Sequence, residues 1–396
     1  MDTPHSESDQ RASEVDKDLV SGNTRFALNI LKELQKEDEG RNIFISPLSV
    51  SVALAMIYNG ARGQTSDAIA KTLQINGIDL NTINQGFRDL MDSQLNADDR
   101  VSLRIGNSIW IRKSFEQSIK ANFRDTLIKY FGSEILPRQF SDPGTVDEIN
   151  SWAKKATEGK IDKIIENIPY DTMLFIINAI YFKGEWADKF DESRTRQRSF
   201  YLQNDEEILA PMMSKTERCR YYSDDIVQII RLPYGRGKIA MYILLPEEST
   251  DLDSFVQGLE QDKLDSIIAK MRGIELELQI PKLKLEYGKK QLNNVLTGLG
   301  MGSAFSGESA DLEGLASIKP DKLYISFVDH KAVVEVNEEG TEAAAVTSIG
   351  LRLTSISMTI PKFVVDRPYL FMIRDDRSGS IIFLGKIMNP TQYKSP

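Results

Sequence analysis

Apolar residues recur at intervals of three and four through much of the first half of the chain, a spacing that predicts amphipathic helices. Phe26, Ile30 and Leu34 show this spacing near the start. Another helix is expected where Ser46 precedes Pro47, because serine caps helix N-termini and proline fits the first helical position. The predicted helices cover residues 23–34, 47–58, 64–73, 81–95, 115–130, 145–156, 252–271 and 292–299.

Strand patterns dominate the second half. Residues 174–183 are apolar except for Asn178 and the final Lys183 and are rich in β-forming side chains, as in a strand that is buried on both faces. Because helices concentrate early and strands late, without a repeating strand–helix–strand order, the sequence predicts a mixed α+β protein. The other predicted strands cover residues 42–45, 102–111, 226–232, 239–245, 274–285, 323–336, 360–373 and 381–387.

No internal repeat or linker divides the chain, so one domain is expected at residues 21–396. Residues 1–20 are rich in Asp, Glu, Ser and Gln, and this composition predicts a flexible N-terminal extension. The alternative hypothesis is that Val15, Leu19 and Val20 dock the extension onto the body of the protein and help to hold a metastable state.

A long segment of small residues separates the last two long strand patterns. Connections of this length are usually functional or disordered. After Gly340 the segment has no proline or asparagine, and Ala, Thr, Ser, Val and Ile dominate it. In an extended chain alternate residues share a face, so one face would carry only small side chains suited to entry into a packed core. An ordinary flexible connector is the alternative. The residues on that face would be Thr341, Ala343, Ala345 and Thr347.

Composition narrows the classes of function. The net charge of −9 and the pI near 5.1 argue against nucleic-acid or acidic-membrane binding, which needs clustered Lys and Arg. A single cysteine, Cys219, excludes an internal disulfide and a zinc site built on thiolates. The longest apolar run, residues 174–182, is too short to span a bilayer. We therefore expect no nucleic acid, membrane, metal or cofactor as a partner.

The compartment stays open on sequence grounds. Residues 1–20 lack the apolar central segment of a signal peptide. A secreted protein can lose its signal during processing, so an extracellular location after signal removal is favoured and the cytoplasm is the alternative.

The sequence offers little support for an active site. The chain has 2 histidines, His5 and His330, and only His330 lies outside the polar extension. A serine nucleophile would therefore need His330 as its base, yet no Gly-x-Ser-x-Gly elbow, phosphate-binding loop or His-Glu-x-x-His motif is present. His330 follows Val328 within an apolar strand pattern, which favours a buried histidine with a hydrogen-bonding partner. The chain is expected not to be an enzyme.

Four motifs in order give the chain a family resemblance from about Asn23 onward. Residues 42–50 read Asn-Ile-Phe-Ile-Ser-Pro-Leu-Ser-Val, and residues 178–186 read Asn-Ala-Ile-Tyr-Phe-Lys-Gly-Glu-Trp. A third motif lies at residues 299–312, and residues 363–371 read Phe-Val-Val-Asp-Arg-Pro-Tyr-Leu-Phe. Together they resemble the serpins, with Tyr369 where that family usually has phenylalanine. The resemblance implies three β-sheets surrounded by eight or nine helices, with an exposed reactive-centre loop.

The resemblance also assigns roles to residues. The implied hinge of the loop comprises Glu338, Glu339, Gly340, Thr341, Glu342, Ala343, Ala344, Ala345, Val346 and Thr347. The implied shutter, a polar cluster under the opening sheet, comprises Ser46, Ser49, Asn178 and His330. The implied breach, at the top of that sheet, comprises Trp186, Lys282 and Glu338, with an ion pair between the last two.

By this resemblance the chain inhibits serine proteases as a suicide substrate and forms a covalent 1:1 complex. The native protein is expected to be a monomer that can form loop–sheet polymers, and a non-inhibitory serpin acting as a binding or chaperone module is the alternative. Counting from the hinge puts the cleaved bond between Thr354 and Ser355, whereas counting back from residues 366–368 gives Ser357 and Met358.

The residue before the cleaved bond selects the protease. Thr354 suits an elastase-like pocket, Leu353 or Met358 a chymotrypsin-like one, and Arg352 a trypsin-like one. Elastase-like or chymotrypsin-like targets are favoured.

Overall fold

Helices gather in the N-terminal half of the protein. The computed structural model describes residues 4–341 and 360–395, and within these residues it contains ten α-helices. They are α1 (Pro4–Glu14), α2 (Lys17–Glu37), α3 (Pro47–Tyr58), α4 (Gly63–Leu73), α5 (Leu80–Leu95), α6 (Ala121–Thr126), α7 (Gly144–Ala156), α8 (Leu252–Gln257), α9 (Gln261–Lys270) and α10 (Asn293–Leu296). Short 3₁₀ or π turns lie at Lys113–Ser118, Leu127–Phe131, Glu192–Arg194, Thr297–Met301 and Gly302–Phe305.

The strands form two hydrogen-bonded networks. The described strands are β1 (Ile43–Ile45), β2 (Val101–Arg112), β3 (Ile135–Arg138), β4 (Leu174–Glu185), β5 (Arg196–Tyr201), β6 (Glu207–Ser223), β7 (Val227–Pro233), β8 (Ile239–Pro246), β9 (Arg272–Pro281), β10 (Leu283–Gln291), β11 (Ile325–Val336), β12 (Gly340–Thr341), β13 (Lys362–Val364), β14 (Tyr369–Asp375), β15 (Ile381–Ile387) and β16 (Lys394–Ser395).

One network is a seven-stranded sheet in the order β16-β10-β11-β12-β4-β2-β3. The other has nine strands in the order β1-β15-β14-β8-β7-β6-β9-β13, with β5 beside β6. The long strand β6 joins two parts of this second network, because it pairs with β7 only at residues 220–223 and with β9 along residues 212–221. If the strands on the two sides of this join are counted as separate sheets, the structure has three sheets, as the family resemblance predicts.

Helix α3 forms the floor beneath the seven-stranded sheet. Ser46 caps it by accepting a hydrogen bond from the backbone N–H of Ser49, and Pro47 occupies the first turn, as predicted. Every residue from 47 to 57 is buried, because the helix lies between the two sheets and packs on β2, β4 and β15. Its serine and alanine side chains let these elements approach closely.

The opposite face of the seven-stranded sheet carries its own apolar cluster beneath α7. Ile149 and Ala153 of the helix pack with Phe175, Ile177 and other side chains of the sheet. Strand β4 is therefore covered on both faces, which confirms the buried strand predicted at residues 174–183.

Four predicted elements are divided in the structure. The strand expected at residues 360–373 is split into β13 and β14, with residues 365–368 between them. The helix expected at residues 115–130 is broken because Ile119 forms a bridge with Ala316. The helix expected at residues 252–271 ends at Gln257 and resumes at Gln261. The strand expected at residues 274–285 is interrupted at Lys282, between β9 and β10.

The chain start also differs from the expected flexible extension, since α1 packs on α5 as an ordered helix. The Ser8 hydroxyl donates to the Ser93 carbonyl at 2.8 Å, and the Asp9 carboxylate pairs with Arg377 at 3.1 Å. Val15 and Leu19 are buried in the core and Val20 packs against it, while their effect on a metastable state stays a prediction.

Candidate functional site

In the seven-stranded sheet, two neighbouring parallel strands separate at one end. Strands β4 and β11 pair directly over residues 174–181 and 325–333. Beyond this stretch β12 lies between them, with Thr341 opposite both Gly184 of β4 and Val336 of β11. After β11 the chain thus turns back and starts an antiparallel strand inside the sheet.

Glycine is required where the chain enters this position. Gly340 has a φ of 147°, which side chains other than glycine rarely adopt. A Cβ at this residue would lie 2.1 Å from the carbonyl oxygen of Gly184. The turn is closed by the Asn337 N–H, which donates to the Gly340 carbonyl at 2.8 Å. Gly340, the third residue of the predicted hinge, thus permits the close approach of the chain to β4.

The predicted ion pair of the breach is present. The Lys282 ammonium lies 2.7 Å from Oε2 of Glu338, and the Thr195 hydroxyl donates to Oε1 at 2.7 Å. Burial would raise the pKa of Glu338, but these two hydrogen bonds outweigh burial and hold its pKa below the usual range. The carboxylate therefore stays charged and fixes the first residue of the predicted hinge.

Trp186 adds an aromatic anchor at the same end of the sheet. Its indole N–H donates to the Asn337 carbonyl at 2.9 Å, and its backbone N–H donates to the Glu339 carbonyl at 2.9 Å. Its ring stacks on Tyr234, with ring centroids 4.5 Å apart and an interplanar angle of 9°. The breach residues Trp186, Lys282 and Glu338 thus surround one turn.

Tyr234 also belongs to this site, although sequence reasoning did not identify it. Its hydroxyl shares a hydrogen bond of 2.7 Å with the Thr341 hydroxyl, and both side chains are buried. Burial raises the pKa of Tyr234 above its ordinary value, so the hydroxyl remains neutral. Nothing local marks Tyr234 in the sequence, because its partners lie on distant segments.

The four predicted shutter residues also lie together, under the parallel pair. Asn178 and His330 occupy directly opposite positions on β4 and β11. The Asn178 amide donates to the Ser49 hydroxyl of α3 and to the Asn107 side chain of β2. The Ser46 hydroxyl donates to the Ile382 carbonyl at 2.7 Å. This polar network ties both strands to the underlying helix and to the second sheet.

Asn107 is a further member of this cluster that the sequence did not reveal. It lies in a strand with an ordinary alternation of side chains, so nothing local marks it. Only the antiparallel register of β2 with β4 brings it opposite Asn178.

His330 acts here as a neutral hydrogen-bonding group. The Ser46 N–H donates to its Nε2 at 3.3 Å, so the ring proton resides on Nδ1 and is donated to the Asn178 carbonyl oxygen. Full burial lowers the pKa of His330 to about 3. Among the described residues no serine hydroxyl hydrogen-bonds to the imidazole, which links the Ser46 backbone to the Asn178 side chain.

Part of the predicted site lies outside the described residues. This applies to the hinge beyond Thr341, namely Glu342, Ala343, Ala344, Ala345, Val346 and Thr347. It applies equally to the cleavage-site candidates Arg352, Leu353, Thr354, Ser355, Ser357 and Met358. Their roles remain predictions.

Two absences hold for residues 4–341 and 360–395. In those ranges no group of three or more His, Cys, Asp or Glu side chains could hold a metal ion. Within the same part of the chain no helix combines the length and the apolar character needed to cross a membrane.

Comparisons with known proteins agree with this architecture. The family model "Serpin (serine protease inhibitor)" matches residues 21–390. Serpin B6 of Macaca fascicularis is 36% identical over 384 residues, which cover 94% of this chain and 99% of that protein. The leukocyte elastase inhibitor of Homo sapiens is 34% identical over 384 residues, with the same coverage of 94% and 99%.

A solved structure resembles the whole fold. The native state of the thermophilic serpin tengpin superimposes with a TM-score of 0.87 at 28% identity, covering 95% of each chain. The chain belongs to the serpin family. Its relatives are named as inhibitors, which supports protease inhibition and confirms the prediction that it is not an enzyme.

Proposed function

We propose that this protein inhibits serine proteases as a suicide substrate, by inserting its cleaved loop into the seven-stranded sheet. The observation that carries the proposal is β12, an antiparallel strand two residues long that already lies between β4 and β11. Insertion would lengthen this strand in the same register.

The register supports the hinge assignment. Continued from Thr341, it would bring Thr347 between Asn178 and His330, and it would turn Ala343 and Ala345 toward α3. Small side chains fit there because the floor of the sheet is already packed. The hydroxyl of Thr347 would meet the polar shutter instead of an apolar surface.

Insertion has a clear energetic direction. Each backbone hydrogen bond that the new strand forms contributes about 1 kcal/mol net. The exchange also replaces a parallel pairing by two antiparallel pairings, which are slightly more stable per residue. A strand that extends from Thr341 past His330 would therefore release several kcal/mol.

The chemistry preceding insertion is ordinary acyl transfer. The protease serine oxygen bonds to the carbonyl carbon of the reactive bond, the peptide bond breaks, and the new amino terminus leaves with a proton. The ester left behind joins the protease to the loop. Insertion then carries the protease along, and displacement of its catalytic groups by about 1 Å costs on the order of a hundredfold in the rate of hydrolysis.

We assign the reactive bond to Thr354–Ser355, with Arg352, Leu353, Ser357 and Met358 as the competing positions. Threonine before the cleaved bond fits a small pocket, so an elastase-like protease is the preferred target and a chymotrypsin-like one comes next. Mass spectrometry of the peptide released on cleavage identifies the bond.

The test is complex formation with elastase, chymotrypsin, trypsin and subtilisin, followed on denaturing gels. The wild type should give a 1:1 band that survives SDS with at least one of them. Thr341→Arg should be cleaved without forming complex, because an unpaired charge cannot remain buried beside Tyr234 and the start of the inserted strand is then lost from the sheet. Thr341→Ser is the matched control and should retain complex. Complex at wild-type yield in Thr341→Arg would contradict the mechanism.

A further inference from the structure

A short segment after β4 holds the start of the predicted hinge through its backbone. The Trp186 N–H donates to the Glu339 carbonyl, and the Phe190 N–H donates to the Glu338 carbonyl, both at 2.9 Å. Residues 186–190 thus form a clamp segment beside the chain that leads into β12.

The clamp segment is itself anchored to strands β6 and β7 of the nine-stranded network. The Lys215 ammonium donates to the Asp188 carbonyl and lies 4.4 Å from the ring centroid of Phe190. The Ala187 N–H donates to the Pro233 carbonyl at 2.9 Å. A side chain on the clamp segment therefore has a defined position relative to the hinge.

Lys189 of the clamp segment lies between two carboxylates. Its ammonium forms an ion pair with Oε2 of Glu339 and lies 3.5 Å from Oε2 of Glu185, the last residue of β4. The Glu339 side chain is 12% exposed, whereas the side chains of Lys189 and Glu185 are 30% and 34% exposed. The hydrogen bond to Glu339 raises the pKa of Lys189 above its usual value, although burial opposes this effect. The ammonium therefore stays charged.

The pairing of β12 with β4 brings the two carboxylates close to each other. Glu185 stands opposite Gly340 in this antiparallel pair, and Glu339 directly precedes Gly340. Without a cation between them, two negative charges at neighbouring positions repel and weaken the strand pairing. Lys189 offsets a repulsion that acts directly on the contact between the hinge and the sheet.

We infer that Lys189 is a positioning residue for loop insertion, because it keeps β12 paired with β4 and so lets insertion start from a strand that is already in register. This inference rests on the proposed function. After the loop is cut, insertion competes with hydrolysis of the ester that joins the loop to the protease. A hinge that has left β4 must return before the strand can lengthen, which gives hydrolysis more time.

The first test measures how many inhibitor molecules are consumed for each protease molecule inactivated, using a protease that the wild type traps. Lys189→Met should raise this ratio by about two- to fivefold, the size expected when a partly exposed charge pair is lost. Lys189→Arg keeps the cation and should stay close to the wild type. Lys284→Met removes a partly exposed ion pair with Glu335 elsewhere in the same sheet and should not change the ratio. A wild-type ratio in Lys189→Met would overturn the role of Lys189.

A double variant tests whether repulsion is the cause. Glu185→Gln combined with Lys189→Met removes one of the two negative charges, so the ratio should return toward the wild-type value. A double variant that consumes as much inhibitor as Lys189→Met alone would overturn the electrostatic explanation and the inference with it.

Hydrogen exchange of the intact protein tests the contact without a protease. The Trp186 amide hydrogen, which is bonded to the Glu339 carbonyl, should exchange faster in Lys189→Met than in the wild type, whereas the amides of β14 should exchange alike in both. Unchanged exchange at Trp186 would overturn the positioning role while leaving the proposed function intact. A wild-type protein that traps no protease would instead overturn the proposed function, and this inference with it.

Discussion

The hydrogen bond between Tyr234 and Thr341 offers a sharp test of how the hinge is held. Tyr234→Phe removes the hydroxyl but keeps the ring that stacks on Trp186. The Thr341 hydroxyl then remains buried without this partner. Leaving one buried polar group unsatisfied costs about 1–3 kcal/mol, so we expect the native protein to lose stability in that range.

Thr341→Val produces the complementary defect, since valine matches threonine in shape and lacks the hydroxyl. The Tyr234 hydroxyl, which is buried, then lacks its acceptor or donor. The loss should again be about 1–3 kcal/mol. When both changes are combined, no orphan hydroxyl remains, and the double variant should recover at least about 1 kcal/mol relative to the sum of the single losses.

The assay is urea unfolding of the uncleaved protein, with the midpoint and slope measured for all four proteins. Tyr242→Phe is a matched control, because the Tyr242 hydroxyl donates to Asp376 at 2.7 Å, away from the hinge. Combined with Thr341→Val, it should show additive losses. Additive losses for Tyr234→Phe with Thr341→Val would refute the claim that these hydroxyls hold the hinge together.

Three further predictions concern other parts of the molecule. Burial lowers the pKa of His330 from 6.5 to about 3, so the stabilising contribution of the neutral histidine is lost as pH falls below 6.5. Burial raises the pKa of Asp329 from 3.8 to about 6, so protonation of Asp329 stabilises the folded protein as pH falls from 6 to 3.8. These contributions oppose each other between pH 3.8 and 6, so removing the histidine should change the slope of stability against pH. Relative to wild type, His330→Gln should shift that slope by up to about 1.4 kcal/mol per pH unit toward greater stability at low pH, measured by urea unfolding at each pH; a slope unchanged from wild type would contradict this. Lys282→Met leaves the buried carboxylate of Glu338 without its ammonium partner and should speed loop–sheet polymer formation on heating, seen on native gels. Lys284→Met is the control: it removes an ion pair whose lysine is 53% exposed and should not speed polymer formation. Deleting residues 1–20 removes α1 together with Val15, Leu19 and Val20, so the unfolding midpoint should fall and conversion to an inactive form should quicken; unchanged behaviour would dismiss the docking hypothesis.

Local sequence signals predicted the elements that carry the site. The Ser46–Pro47 start of α3 and the apolar run of β4 follow from capping and periodicity, and both are confirmed. The ion pair of Lys282 with Glu338 came from family resemblance, because spacing alone does not link residues on different strands. The structure adds the break after β9 that frees Lys282 to reach the turn.

The parts that sequence missed depend on long-range pairing. Tyr234 and Asn107 join the site only through partners on distant segments. Strands β5 and β6 escaped prediction because their exposed faces are polar and hide the apolar alternation. Such positions follow from tertiary context, which overrides local propensity.

The most direct test of loop insertion is the change in stability when the loop is cut. The loop is cut with a protease that is not itself trapped. The cleaved protein should then have a clearly higher guanidinium unfolding midpoint than the intact protein, because a full strand has joined the sheet between β4 and β11. Thr341→Arg, cut in the same way, should show no such rise. A wild-type midpoint that stays the same or falls after cleavage would contradict the proposed mechanism.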